Sequence, residues 1–249
     1  MSYIEKNQGG VIFKIDFEKT YDKVKWNFLL KGFSSKWIEW IQSFISGGSV
    51  AVNINDEVGS YFQTKKGVRQ GDPLSPILFN IVADMLMLFI NRAKVEDQLS
   101  GVVPHLIEGG LSILQYVDDT ILFLDHNLEQ AQNMKNILCV FEQLSGLKVN
   151  FHKSKIFCFG QAKNCENQYM ELFGCNPGTF PIKYLGIPIH YRRLSNNDWT
   201  KVLEKIEKRL SSWKGKNLSN WWPTDFNQFG HQQYTVVHDV FLRDPERGP

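Results

Sequence analysis

Between Leu111 and Leu124 two apolar runs are separated by a pair of adjacent carboxylates, Asp118 and Asp119. Strand-favouring residues on both sides of a short polar tip predict a β-hairpin with the two aspartates at its tip. Turn chemistry alone does not select that tip, because Asp-Asp closes a tight turn less well than Asn-Gly or Asp-Gly. Two like charges side by side also repel, and a divalent cation held by oxygen ligands relieves the repulsion. An ordinary solvated turn is the competing interpretation. The rest of the chain has to decide between them.

Composition narrows the choice. At 249 residues, 43 % hydrophobic and 13 % aromatic, the chain can bury a full core as one large domain or a domain plus an appendage. The longest apolar stretch, Ile77 to Ile90, is interrupted by Asn80 and Asp84, and the N-terminus has no signal-peptide core. The expectation is a soluble, intracellular chain that does not use a membrane. Cys139, Cys158, Cys165 and Cys175 form no Cys-x-x-Cys pair, so buried thiols are expected, with a zinc site of Cys158, Cys165, Cys175 and His190 as the alternative. The net charge of +2 is uneven: residues 1–147 carry 13 basic and 17 acidic side chains, and residues 148–216 carry 13 and 5. An acidic part followed by a basic part suits a metal site beside a polyanion track, although a solvated basic face gives the same count.

In chain order, residues 1–10 are expected as a flexible lead-in. Val11 to Phe17 alternates as a strand with Asp16 near its end, and Val24, Phe28 and Leu29 suggest a helix over Asp22–Leu30. Lys36 to Ile45 is amphipathic, with Trp37, Trp40 and Phe44 expected in the core, and Gly47-Gly48 ends it. Ser49 to Thr64 predicts a hairpin turning at Asn55-Asp56. Ser75 and Pro76 suit the N-cap and first position of a helix running to about Ala93, with Ile77, Ile81, Met85 and Leu88 inward. Leu128–Leu144 is a further helix, and 147–159 a turn and lysine-rich strand. Tyr184–Ile189 looks like a short strand, and Asn197–Trp213 a helix with Lys201, Lys205 and Lys208 on one side. After Ser219 the pattern fades into a weakly structured tail.

Setting the Asp16 strand beside the Asp118-Asp119 hairpin brings three carboxylates to one sheet edge. Two cations about 3.5–4 Å apart there could activate a hydroxyl and neutralise a leaving pyrophosphate. From about Val11 to Ser219 the chain resembles the palm and start of the thumb of reverse transcriptases of plant LINE-type (non-LTR) retrotransposons. The resemblance rests on five motifs in order. Asp16-Phe17-Glu18-Lys19-Thr20-Tyr21-Asp22 is similar to the first, and Gly67-Val68-Arg69-Gln70-Gly71-Asp72-Pro73-Leu74-Ser75-Pro76 to the second. Tyr116-Val117-Asp118-Asp119 resembles the polymerase box, with Val where Ala is usual. Ser145–Asn150 with Lys153-Ser154, then Tyr184-Leu185-Gly186, resemble the fourth and fifth.

The resemblance implies an α+β palm fold, an antiparallel sheet packed on helices, with a partial helical thumb and the fingers largely missing. It implies RNA-directed DNA synthesis from an RNA template, a DNA primer and dNTPs, with two Mg²⁺ ions (or Mn²⁺). Asp16, Asp118 and Asp119 would be catalytic and hold the metal. Phe17, Tyr21, Arg69, Gln70 and Gly71 would line the nucleotide, with Tyr21 excluding a 2′-hydroxyl. Lys153 or Lys148 would be a general acid. Tyr184, Leu185 and Gly186 would grip the primer, and Lys201, Lys205 and Lys208 would follow the duplex backbone. The implied divisions are a palm over 11–180, primer grip and partial thumb over 181–219, and a divergent tail over 220–249. Fingers, endonuclease or RNase H regions would belong to a parent polyprotein, and the location would be nuclear. The pattern departs from the family in its short upstream region, its shortened Trp26–Gly32 segment and its unrelated sequence after Ser219, which suggest a fragment that is inactive alone. A non-catalytic nucleic-acid-binding relic and a palm-type nucleotide cyclase are the alternatives.

Overall fold

The computed structural model describes residues 9–102, 109–117, 119–192 and 194–217. The lead-in before Gly9, Asp118 and the expected tail beyond Asn217 lie outside the described residues. Chain contacts define two compact units, Met1–Leu194 and Ser195–Pro249.

In the first unit β1 (Gly10–Ile15) leads to two single-turn helices, α1 (Thr20–Lys23) and α2 (Trp26–Leu29), and then to α3 (Ser35–Ser46). Four two-residue strands follow: β2 (Ser49–Val50), β3 (Asn53–Ile54), β4 (Glu57–Val58) and β5 (Phe62–Gln63). Then come α4 (Ser75–Val95), β6 (Ile113–Tyr116), β7 (Asp119–Asp125), α5 (Leu128–Ser145) and β8 (Lys155–Phe159). A 3₁₀ turn over Gly160–Cys165 precedes α6 (Glu166–Phe173), β9 (Asn176–Pro177), β10 (Ile182–Tyr184) and β11 (Ile187–Ile189). The main sheet has the order β6-β7-β1-β8-β9, antiparallel except for the β8–β9 pair. The expected α+β architecture of a sheet packed on helices is present.

β1 is central because its period-2 pattern supplies both faces. Val11, Phe13 and Ile15 join the large core beneath α4, α5 and α6, where Phe13 packs against Phe173 with the rings tilted and their centroids 4.6 Å apart. Ile12 joins a second cluster on the opposite face, with Ile121, Phe123, Phe157, Phe159 and Ile182. Gly10, expected in the lead-in, is part of this strand. Gly9 is buried beside it because a Cβ there would lie 2.5 Å from the Ala162 nitrogen.

Several expectations are corrected. The helix over Asp22–Leu30 is broken at Val24–Lys25, whose backbone bonds elsewhere: the Gly67 N–H donates to the Val24 carbonyl (2.7 Å), and the Lys25 N–H to the Ser145 carbonyl (2.8 Å). On α3, Trp37 is only half-buried, Trp40 is 62 % exposed and Phe44 is exposed, so the inward face is Ile41 and Ile45. Ser75 sits inside the first turn of α4, after Leu74 as N-cap, because the Asp72 carboxylate already accepts the Leu74 N–H (3.2 Å) and starts the turn early. The inward face of α4 is Leu78, Val82, Leu86 and Ile90, while Ile77 and Leu88 are exposed. This 21-residue helix is long and apolar enough, by length and composition alone, to cross a membrane, although its inner face belongs to the core. Tyr184–Ile189 is not one strand. Leu185 and Gly186, at φ 51° and 86°, form a two-residue turn between β10 and β11. Cys158 and Cys175 are buried, Cys165 is half-buried and Cys139 is exposed. No group of three His, Cys, Asp or Glu suited to a metal occurs among the described residues.

The second unit contributes α7 (Asn196–Asn217), longer than the expected 197–213. Lys201, Lys205 and Lys208 are exposed on it, and so is Ile206, expected on its apolar side.

Candidate active site

The polymerase-box hairpin closes with a two-residue loop. Tyr116 pairs with Asp119, so Val117 starts the tip and Asp119 opens the return strand. Val117 has φ 55°, a left-handed conformation that a β-branched residue rarely adopts. β7 pairs antiparallel with β1, with Thr120 opposite Ile15, and one further step of that register sets Asp16 beside Asp119. Directly opposed residues of antiparallel strands share a face with Cα atoms about 4.5–5.5 Å apart. Asp16 and Asp119 therefore occupy the face that also carries Lys14, Ile12, Ile121 and Phe123, away from the helices. Phe17 points the other way. Its ring is buried in the main core edge-on to Phe141, so only its backbone is near Asp16.

The fourth motif holds Asp16 in place. The β1–β8 ladder runs to Lys14↔Lys155, and an isolated bridge joins Phe17 to Val149. Between those pairs the β1 side has two residues, Ile15 and Asp16, and the opposing side has five, 150–154. The surplus loops out as a turn that satisfies both peptide groups of Asp16. The Asp16 N–H donates to Ser154 Oγ (3.0 Å), Ser154 Oγ–H donates to the Asn150 carbonyl (2.8 Å), and the Asn150 N–H donates to the Asp16 carbonyl (2.7 Å). Ser154 is 1 % exposed, whereas the Asp16 carboxylate stands in solvent. Lys148 and Lys153 are both exposed in this segment. The Lys148 carbonyl accepts the Glu18 N–H (2.8 Å), and the Lys153 N–H donates to Asn150 Oδ1 (3.2 Å).

The second motif is clamped to the first from the other side. Val68 N–H donates to the Tyr21 carbonyl (2.7 Å), and Trp26 Nε1–H to the Gly67 carbonyl (2.6 Å). Gly67, at φ 87°, approaches so closely that a Cβ would lie 2.9 Å from the Asp22 carbonyl oxygen. The Tyr21 ring stacks on Phe79 of α4 at 5.0 Å between centroids, half-buried. Arg69, Gln70 and Gly71 are exposed in the loop ahead of α4, and Gly71 needs its freedom for φ 91°.

On the open face, β10 and β11 lie over the second cluster through Ile182, Tyr184 and Ile189. Burial and then the Asp119 carboxylate push the Tyr184 phenol above its ordinary value. Leu185 and Gly186 form the exposed end of this hairpin. Asp16, Asp119, Tyr21, Lys148, Lys153 and Tyr184 thus come from four separated motifs to one unit, whereas Lys201, Lys205 and Lys208 belong to the other. Asp118 lies outside the described residues. Two residues beyond the predicted set also touch the site. Lys14 Nζ lies 3.7 Å from Asp119 Oδ1 and donates to the Lys183 carbonyl (2.9 Å), and Ser154 holds the backbone of Asp16. The period-2 step from Lys14 to Asp16 could have flagged the first, and the fourth-motif resemblance at Lys153-Ser154 the second.

Exposed carboxylates on one face are hard oxygen donors of the kind a Mg²⁺ ion accepts. The chain is similar to the Pol polyprotein of the type-2 retrotransposable element R2DM of Drosophila melanogaster, 29 % identical over 180 residues, covering 67 % of this chain and 15 % of that protein. It is also similar to the uncharacterized 149 kDa protein of transposon TX1 of Xenopus laevis, 24 % identical over 217 residues, covering 81 % of this chain and 15 % of that protein. The chain thus spans about a seventh of these relatives' length. In fold it resembles a telomerase of Candida tropicalis solved in complex with a TWJ fragment of telomeric RNA, with TM-score 0.52 and 17 % identity over 96 % of this chain and 35 % of that one. The family model for reverse transcriptase (RNA-dependent DNA polymerase) matches residues 2–189, the span that holds all five motifs, and the chain belongs to that family, with non-LTR retrotransposon proteins as its relatives.

Proposed function

We propose that this chain supplies the palm of an RNA-directed DNA polymerase that joins a dNTP to a primer 3′-hydroxyl on an RNA template. The observation that carries the proposal is the register of β1 and β7, whose last pair, Ile15 and Thr120, leaves Asp16 and Asp119 as the next residues on the two strands, on the face that β10 and β11 also occupy. Asp16, Asp119 and Asp118 would hold two divalent cations, which when bound lower the pKa of the attacking hydroxyl and neutralise charge on the leaving pyrophosphate. The chain's own groups orient the reactants. Tyr21, braced on Phe79, would close the space a 2′-oxygen needs. The Arg69–Gly71 loop would lie against the incoming nucleotide, and Lys148 or Lys153 would hold a proton for the leaving group. Lys201, Lys205 and Lys208 would meet phosphates, making template–primer affinity fall with salt. The finer assignment to a plant LINE-type element rests on the wording of Asp16–Asp22 and Gly67–Pro76. Fingers and nuclease regions would come from the parent polyprotein.

The test is primer extension on an RNA template with Mg²⁺ and dNTPs, using the chain fused behind the upstream segment of the Drosophila relative. Template-directed incorporation that Asp16→Asn abolishes, with thermal unfolding and primer–template affinity unchanged, is the expected result. Extension that survives Asp16→Asn overturns the assignment.

A further inference from the structure

Lys14 is two residues before Asp16 on the same face of β1. Across the β1–β7 pair it faces Ile121, which makes Asp119 its diagonal neighbour, within reach of a long side chain. Its ammonium stands between two different elements: 3.7 Å from Asp119 Oδ1 on the polymerase-box hairpin and 2.9 Å from the Lys183 carbonyl on β10. That carbonyl is available for a structural reason. In a hairpin with a two-residue loop the pair next to the loop, here Tyr184↔Ile187, exchanges the ladder hydrogen bonds. The next pair, Lys183↔Pro188, then turns its backbone groups outward, and the Lys183 carbonyl meets Lys14. An ammonium has three donors and no acceptor, so one side chain can serve both oxygens.

The β10–β11 hairpin has three residue pairs, too few for independent stability. Apolar packing on the second cluster holds it down but leaves it free to slide, because such packing is non-directional. The Lys14 bond to a single carbonyl removes that freedom. At the same time the ammonium sets the charge beside Asp119 and competes there with any cation that approaches.

We propose that Lys14 is a positioning residue that fixes the β10–β11 hairpin relative to Asp119 and restrains the affinity of that carboxylate for a divalent cation. The second half rests on the polymerase reading; the first does not. Two measurements on the full chain separate them. Lys14→Met should speed amide hydrogen exchange across Ile182–Ile189 by about three- to tenfold, the loss expected for one charge-assisted hydrogen bond near the surface, while the Val11–Ile15 and Ile121–Leu124 ladder keeps its protection. The same variant should bind Mn²⁺, followed by its electron paramagnetic resonance signal, at about two- to fivefold lower half-saturating concentration, as removal of one partly exposed cation from a carboxylate predicts. Lys14→Arg should restore both. A side chain that only stabilised the fold would loosen the hairpin and weaken Mn²⁺ binding together, so the opposite signs are diagnostic. Unchanged exchange in the hairpin, or Mn²⁺ binding no tighter than in the parent chain, overturns the corresponding half. If Asp119→Asn leaves Mn²⁺ binding intact, the metal assignment itself fails, while the exchange rates still decide the tether.

Discussion

Two parts of the first unit, both between or beside the same motifs, are built by opposite rules. At the junction of β1, β7 and the 147–154 segment, backbone hydrogen bonds tie the first motif to the second and to the fourth, and the side chains beneath are buried. Residues 33–63 leave that junction and return to it with little of either. Their strands are two residues long, all eight strand residues are exposed, and Ile54 and Tyr61 are 66 % and 72 % exposed. The proposed chemistry depends on the placement of Asp16 and Asp119, and the contacts are concentrated there. The excursion is joined to the core through Ile41, Ile45 and the half-buried Trp37. The junction should therefore govern global unfolding, and the excursion should open locally without it.

The largest test of that contrast sets one aromatic against another. Phe13→Ala removes a fully buried ring and should destabilise the chain by about 3–5 kcal/mol, enough to threaten folding. Trp40→Ala should change stability by no more than about 0.5 kcal/mol, because the ring is mostly in water. Urea unfolding measures both, and similar losses for the two would erase the distinction. A smaller effect is expected for Ser154→Ala. It leaves the Asp16 N–H without its acceptor, at a cost of about 1–3 kcal/mol, and should raise exchange at the Asp16 amide more than elsewhere. If that amide stays protected, Ser154 does not hold the backbone of Asp16.

Much of the junction was legible because its signals are local. The alternation of Val11 to Ile15 and the apolar runs around the polymerase box both act within a few residues. What was misread depends on distant partners. Val24 and Lys25 interrupt a helix because Gly67 and Ser145 take their backbone groups. α4 is apolar around most of its circumference, so only packing could choose Leu78 and Val82 over Ile77. Leu185 hid a turn by being hydrophobic. Lys14 and Ser154 act on partners 169 and 138 residues away, and no window along the sequence contains both ends.

A pH series probes the junction's inner face. Burial first, then the Glu166 carboxylate, pushes the Cys158 thiol up to about 12, and burial pushes Cys175 up to about 11, from an ordinary value of 9.0. In the unfolded chain these thiols lose their protons near 9, while in the folded chain they keep them. The folded state then binds more protons, so stability is full below pH 9 and falls as pH rises toward 11–12. Thermal unfolding at pH 8 and pH 10 should show the drop, reduced in Cys158→Ala relative to its own value at pH 8. Exposed Cys139 should react with a thiol reagent in the native state well before either buried thiol.

The smallest effect belongs to the excursion, and it sharpens the comparison most. Asn55 and Asp56 turn the β3–β4 hairpin with φ of 52° and 66°, the paired left-handed geometry for which Asn-Gly is best suited. Asp56→Gly removes the Cβ penalty of that conformation, about 1–2 kcal/mol for an ordinary residue and less for aspartate. It also loosens the unfolded chain, so the net local gain should be about 0.5 kcal/mol. If the excursion opens on its own, that gain slows exchange at Ile54, Glu57 and Gly59, whose amides face across the hairpin, about twofold and leaves the global unfolding midpoint where it was. A rise in the global midpoint would mean that the hairpin unfolds together with β1 and β7. The 33–63 segment would then be part of the structure that holds Asp16 and Asp119 in place, despite its exposed surface.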